Sequence, residues 1–244
     1  MVVKLGSSTT HLNRNTILKK LLIALSLATA LGSLSTAQAA TISFADSTSF
    51  RTTNWANSLT LGKFNTSLGT LTSIKFDLTG TVRGFGNAES MDESSSNVTL
   101  TLSSMLTLNR PDSSTLVVAN PVFSQTFAFS AYDDVFDFAG TSGGMTGTVT
   151  STNSNFFVSS SASDFALFSA LGGGSINLGL AARGNSTGSG SGNLVTQFRT
   201  SAAGNALVTY TYTAAAIPEP ASLALLLGGL GLIGVARRRV SKRS

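Results

Sequence analysis

The chain of 244 residues has no cysteine, one histidine, one tryptophan and four prolines, and only 11% of it is charged. Each scarcity closes off chemistry. Without cysteine there is no disulfide, no thiolate nucleophile and no zinc–thiolate site. The histidine, His11, lies in an N-terminal basic stretch. Everything downstream therefore lacks a Ser-His-Asp triad and a histidine metal site. Stability has to come from core packing, and the ~175 residues between the two ends are enough for that.

Long hydrophobic runs are present only at the ends. Near the N-terminus, Lys4, Arg14, Lys19 and Lys20 precede an apolar run from Leu21 to Leu34 and then Ala37-Gln38-Ala39. A basic region, a hydrophobic region and an A-x-A site read as a secretory signal peptide over residues 1–39, cut between Ala39 and Ala40 by signal peptidase after export. At the other end, Pro218-Glu219-Pro220 is followed by the uncharged run 221–236 and then Arg237-Arg238-Arg239. Sixteen helical residues span about 24 Å, slightly short of a ~30 Å hydrocarbon core, and arginines snorkel to close that gap. The prolines set where such a helix starts. The arginines set where it stops, since each would cost roughly 2.5–3.5 kcal/mol at mid-bilayer. A buried core helix is the competing reading, but the run has no polar stripe. Gly229-Leu230-Gly231-Leu232-Ile233-Gly234 matches GxGxxG, yet no acidic residue follows at the required distance. The glycines suit a packing face in a membrane helix better.

Positive charge flanks both hydrophobic segments on their outer sides, which places residues 40–216 across the membrane from the termini. The formal charge of +5 invites a nucleic-acid reading. Residues 1–39 hold four Lys/Arg, and 217–244 hold five Lys/Arg and one Glu, leaving seven basic and ten acidic residues between them. The middle is mildly acidic, so no nucleic-acid partner is expected.

That middle is rich in Thr, Ser and Gly and alternates with a period of two. Ile74, Phe76, Leu78 and Val82 share one face; so do Val98, Leu100, Leu102, Leu106 and Leu108. Phe127 and Phe129 repeat the pattern, as do Ile176, Leu178 and Leu180, and then Val208, Tyr210 and Tyr212. Such alternation marks strands with one buried face. Arg110-Pro111-Asp112, Asn120-Pro121, Gly143-Gly144 and Gly172-Gly173-Gly174 read as turns between them. The expectation is an all-β, antiparallel β-sandwich of about 8–10 strands over residues 40–213. One short helix is expected over 162–169, capped by Ser161, with a long loop at Gly184–Gly192 and a linker at 214–217.

Few residues offer chemistry. Asp133, Asp134 and Asp137 are a weak calcium candidate, since clustered carboxylates suit a hard cation; the spacing does not fit an EF-hand, and a solvated loop is the plainer reading. Glu89, Asp92 and Glu93 read as another exposed loop. Paired carboxylates across a sugar would be needed for a glycosidase, and no spacing here supplies them. Trp55 suits either a sugar-stacking platform or a core position, and the core reading is favoured. The sequons at Asn65, Asn97 and Asn185 are what a Ser/Thr-rich chain gives by chance. No metal, no other cofactor and no enzymatic activity are expected.

Two resemblances extend this reading. Pro218-Glu219-Pro220, Ala221-Ser222-Leu223-Ala224-Leu225, the Gly-rich span and Arg237-Arg238-Arg239 resemble the PEP-CTERM sorting signal of Gram-negative bacteria. The resemblance implies exosortase as partner, cutting near Pro218-Glu219-Pro220, transient membrane anchoring, and an association with exopolysaccharide and biofilm matrix at the cell surface. The middle resembles the choice-of-anchor E domain family through Thr53-Asn54-Trp55, Leu61-Gly62-Lys63-Phe64-Asn65, Asn109-Arg110-Pro111-Asp112 and Phe136-Asp137-Phe138-Ala139-Gly140. That family carries one extracellular domain on different surface anchors and implies no catalytic residue. The reading is then an exported structural or adhesive module, with a carbohydrate-binding module, with or without calcium dependence, as the alternative.

N-terminal sequencing of the exported protein should read from Ala40. An exported form that keeps Met1 would remove the signal peptide.

Overall fold

The computed structural model describes residues 39–190 and 192–215. The signal-peptide run, Ala37, the apolar run 221–236 and the sorting residues lie outside them. Among the described residues no helix is long and apolar enough to cross a membrane.

Thirteen strands and one short α-helix follow in order. They are β1 (Ala39–Thr52), β2 (Trp55–Gly62), β3 (Phe64–Asn65), β4 (Gly69–Ser90), β5 (Ser96–Asn109), β6 (Thr115–Ala119) and β7 (Val122–Phe129). Then come β8 (Gly143–Met145), β9 (Val149–Ser159), helix α1 (Ala162–Phe168), β10 (Ser169–Ala170), β11 (Ser175–Gly184), β12 (Thr187–Ser189) and β13 (Leu194–Ala214). β3, β8, β10 and β12 have only two or three residues, which leaves nine strands of substance. The alternation marks five of them, β4, β5, β7, β11 and β13, and the expected total of about 8–10 strands agrees with the nine.

The fold is mostly antiparallel sheet in two layers, as a β-sandwich requires. In one layer β13 lies between β1 and β4, and β4 also pairs with β8 and β9. In the other, β5 pairs with β11, β6, β7 and β12, and β11 pairs with β2. β3 and β10 form a small parallel pair. The inner faces are the predicted apolar sets: Ile74, Phe76, Leu78, Leu106, Leu108, Leu178, Leu180, Val208 and Tyr210 are all fully enclosed. Burying each such side chain is worth about 1.5–3 kcal/mol. The layers approach closely at the paired Gly80 and Gly204. A Cβ on Gly80 would lie 2.7 Å from Leu106, and one on Gly204 would lie 2.8 Å from Leu180. A smaller second core gathers Ala88, Val98, Leu100 and Phe129 under Phe198 and Leu194.

The outer faces explain the low charge. Hydroxyl pairs line up across strands, as in Thr79–Ser154 (2.8 Å), Thr81–Thr152 (3.0 Å) and Thr99–Thr126 (2.8 Å), each a stabilising cross-strand contact. Strand edges are covered by side chains. Asn155 Nδ2 donates to the Val118 carbonyl (3.0 Å) and Ser151 Oγ to that of Val122 (2.7 Å), which joins β9 to the edge of β6 and β7. On the opposite side the Thr60 N–H donates to Asp46 Oδ2 (2.7 Å), joining β2 to β1. Backbone groups so occupied are not free to pair with another chain.

Two turn readings change. Gly143-Gly144 is strand, not turn: β8 pairs with the end of β4, and small residues fit beneath Phe127 and Phe129. The tract Gly184–Gly192 contains β12, because Thr187–Ser189 finds free backbone on β5. Helix α1 begins where Ser161 Oγ accepts the Asp164 N–H (3.2 Å).

Helix α1 is held by a forked ion pair. Arg110 Nε donates to Asp164 Oδ1 (2.8 Å) and Nη2 to Oδ2 (2.9 Å), and Ser159 Oγ also donates to this carboxylate. The Arg110 hydrogen bonds, above all, hold the Asp164 carboxyl below its ordinary value. A depressed acid stabilises the fold above its unfolded pKa, and that stability is lost as pH falls through the folded value. Asp164→Asn should cost roughly 1.5–3 kcal/mol at pH 7. Its deficit in melting temperature relative to wild type should shrink below about pH 4. A deficit that is the same at pH 7 and pH 3 would overturn the assignment.

Candidate functional site

The acidic residues gather at the end of the β4–β13 ladder where Ser90 meets Leu194. Between β7 and β8 the loop folds on its own carboxylates. Asp133 Oδ1 accepts the Val135 N–H (3.1 Å) and Oδ2 the Thr141 N–H (3.3 Å), while Asp137 Oδ1 accepts the Ala139 N–H (2.8 Å). The Val135 N–H, more than any other contact, holds the Asp133 carboxyl below its ordinary value. Asp134 and Phe138 take left-handed φ values of 65° and 56°. These carboxylates cap turns. Among the described residues no group of three or more His, Cys, Asp or Glu is placed to hold a metal ion.

Glu89 corrects the sequence reading. It is not in an exposed loop but fully enclosed, in the last turn of pleat of β4. The strand runs on past the point where sequence polarity suggested it ends, because Gly143 opposite leaves room: a Cβ there would lie 2.5 Å from Glu89 Oε2. Ser142 Oγ donates to Glu89 Oε1 (2.7 Å), and Oε2 has no hydrogen-bond partner. Asp92 ties this end together by accepting the Gly192 N–H (2.8 Å) and the Asn193 N–H (3.1 Å). Tyr132 sits over the group. Partial desolvation first, then the negative field of Glu89, Asp133, Asp134 and Asp137, push its phenol up.

Trp55 and Tyr210, two of the aromatic residues that might have formed a stacking platform, are enclosed. Trp55 is 9% exposed and Tyr210 is fully buried. The Tyr210 hydroxyl donates to the Gly62 carbonyl (2.8 Å), and burial raises its pKa. Tyr212 packs on Phe64 with ring centres 5.0 Å apart. The core reading of Trp55 holds.

Two adjoining clefts open where β1 leaves β13 and turns into β2. The larger, about 560 Å³, is lined by Thr52, Thr53, Asn54, Phe85, Ser186 and Arg199, among others. The smaller, about 190 Å³, is lined by Asn54, Trp55, Ala56, Ala181, Ala182 and Arg183. Asn54 lies in both. It takes a left-handed φ of 70°, and its Oδ1 accepts the Gly184 N–H (3.2 Å), which fixes the turn against the end of β11. Thr53 N–H donates to the Thr200 carbonyl (3.0 Å), fixing the same turn against β13. Arg183 and Arg199 were not singled out from sequence. The only available signal was a cation standing in a run of small and hydroxyl residues.

Ala39 and Ala40 stand at the start of β1, opposite Thr213 and Tyr212 of β13. The two ends of the described chain therefore leave the sheet side by side. Ala37, Pro218, Glu219, Pro220 and Arg237–Arg239 lie outside the described residues.

Residues 216–240 match the PEP-CTERM protein-sorting motif. That motif is the recognition signal for exosortase, and it implies an exported protein with a membrane-anchored C-terminal sorting signal. No curated protein matches the chain. Among solved structures it is similar to a chain in the structure of the infectious bursal disease virus Gx strain, at 14% identity and a TM-score of 0.20 over 81% of this chain and 50% of that one. A chain of the Gt strain of the same virus gives 15% identity and a TM-score of 0.11 over 83% and 49%. The chain thus spans about half the length of these viral proteins, and likeness at this level says nothing of what the chain does.

Proposed function

We propose that the β-sandwich is a non-enzymatic structural or adhesive module of the cell envelope or extracellular matrix, delivered to the cell surface by exosortase and associated there with exopolysaccharide and biofilm. The PEP-CTERM motif at residues 216–240 carries this reading. The antiparallel pairing of Ala39 with Thr213 supports it, since a domain whose ends leave together can be held out from a membrane by one anchor. The resemblance to the choice-of-anchor E family points the same way. The absence of cysteine from the whole chain, and of histidine after His11, leaves no nucleophile–base pair of the common hydrolases.

A carbohydrate-binding module is the second reading. The polar clefts around Asn54 favour it, although Trp55 is too enclosed to serve as a stacking platform. Calcium is not needed for either reading, because Asp133 and Asp137 are occupied by backbone N–H groups.

Replacing Pro218, Glu219 and Pro220 together by alanine should leave an unprocessed, membrane-retained precursor. Normal release of that variant would sink the sorting role of these residues. Adding calcium or a chelator should leave the melting temperature unchanged; a calcium-dependent rise would restore Asp133, Asp134 and Asp137 as a metal site.

A further inference from the structure

We infer that the two clefts around Asn54 bind the carboxylate-bearing sugars of an acidic polysaccharide, with Arg183 and Arg199 as the groups that recognise the anion. The inference rests on the carbohydrate-binding reading above and names its ligand.

Unpartnered cations come first. The domain has ten carboxylates, yet none lines either cleft. Among the described residues the ion pairs are Lys75–Asp77 and Arg110–Asp164. Arg83, Arg183 and Arg199 are exposed and take no carboxylate.

Register then groups two of them. Arg83 stands opposite Ser201, and Phe85 opposite Arg199. Val82, Thr200 and Ala202, the intervening residues, are buried. Arg83, Phe85, Arg199 and Ser201 therefore share the outer face, with Arg83 and Arg199 on a diagonal of about 7–8 Å. Of the two, Arg199 lines the larger cleft. Arg83 is held in place by the Phe50 ring, 4.1 Å from its guanidinium carbon.

The third observation is independent of charge. Trp55 is nine-tenths buried, lines the smaller cleft, and its indole N–H has no acceptor in the protein. Buried donors without acceptors are rare and destabilising. A hydroxyl-bearing ligand in the smaller cleft reaches this donor only with a shift of the Trp55 side chain, which the emission of Trp55 would report.

The rest of the lining chooses the ligand class. Guanidinium forks match carboxylates in two parallel hydrogen bonds. Around them stand the hydroxyls of Thr52, Thr53 and Ser186 and the amides of Asn54 and Gln197. Part of that capacity is used within the protein, as where Asn54 Oδ1 accepts the Gly184 N–H and Thr53 Oγ1 donates to the Thr200 carbonyl, and the remainder suits a polyhydroxylated ligand better than a small inorganic anion. Two joined clefts suit successive units of one sugar chain. A nucleic-acid strand would want exposed rings for its bases, whereas Phe85 is half-buried and Trp55 enclosed.

The chain has one tryptophan, so its emission reports on this site alone. The full-length protein in mild detergent is titrated with polygalacturonate oligomers, with neutral dextran and with inorganic phosphate. A saturable change in Trp55 emission is expected with the uronate oligomers and not with the other two. Arg183→Ala and Arg199→Ala should each weaken binding about tenfold or more. Arg183→Lys, which keeps the charge but not the fork, should fall between, and Lys63→Ala should bind as wild type. No change in emission, equal binding of dextran, saturation by phosphate alone, or the same loss in Lys63→Ala would each overturn the inference. Processing of the same preparations by exosortase is scored separately. Normal processing without uronate binding removes this site and leaves the sorting role intact.

Discussion

The ladder between β4 and β13, 22 residues against 21, is the constraint on which the other elements depend. It runs the whole length of the domain, from Gly69–Ala214 to Ser90–Leu194. Its first two thirds floor the main core; its last third bends over the small core beneath Phe198. β1 hangs on one side and β9 on the other. The turn that carries Asn54 into both clefts is positioned against it as well, through the Thr53–Thr200 backbone bond. With no cross-link in the chain, a single backbone alignment fixes which side chains face inward, and a slip by one residue would reverse them all.

The way charge is spent follows from this. The outer faces carry hydroxyl pairs in place of ion pairs, so neighbouring strands are held without a charged surface. Six of the ten carboxylates collect at one end of the ladder, where Asp92, Asp133 and Asp137 satisfy loop N–H groups that no strand reaches. Arg110 is paired with Asp164, whereas Arg83 and Arg199, part-way along the ladder, and Arg183 on β11 have no carboxylate partner.

Much of the fold could be read from period-two alternation, because long strands with one buried face leave a clear trace. Ile74, Phe76 and Leu78 or Leu106 and Leu108 are inward as read, and the Ser161 cap starts the helix. What escaped depended on partners far away in sequence. Gly143–Met145 is a strand only because the end of β4 accepts it, and Glu89 is buried only because Gly143 makes room. The sorting signal needed no fold to be recognised, since its information is a linear order of prolines, apolar residues and arginines. The clefts left no such linear trace: Asn54, Arg183 and Arg199 meet through three separate elements.

The pairing of Ala39 with Thr213 has a bearing on timing. The first strand has no place in the sheet until the last one exists, and the last one lies directly before the sorting signal. A chain crossing a membrane from its N-terminus can therefore form hairpins as it emerges but cannot close the sheet until almost all of it has arrived. Contacts so distant in sequence form slowly. Closure of the domain is in effect a readout that translocation has reached the segment by which the protein is handed on.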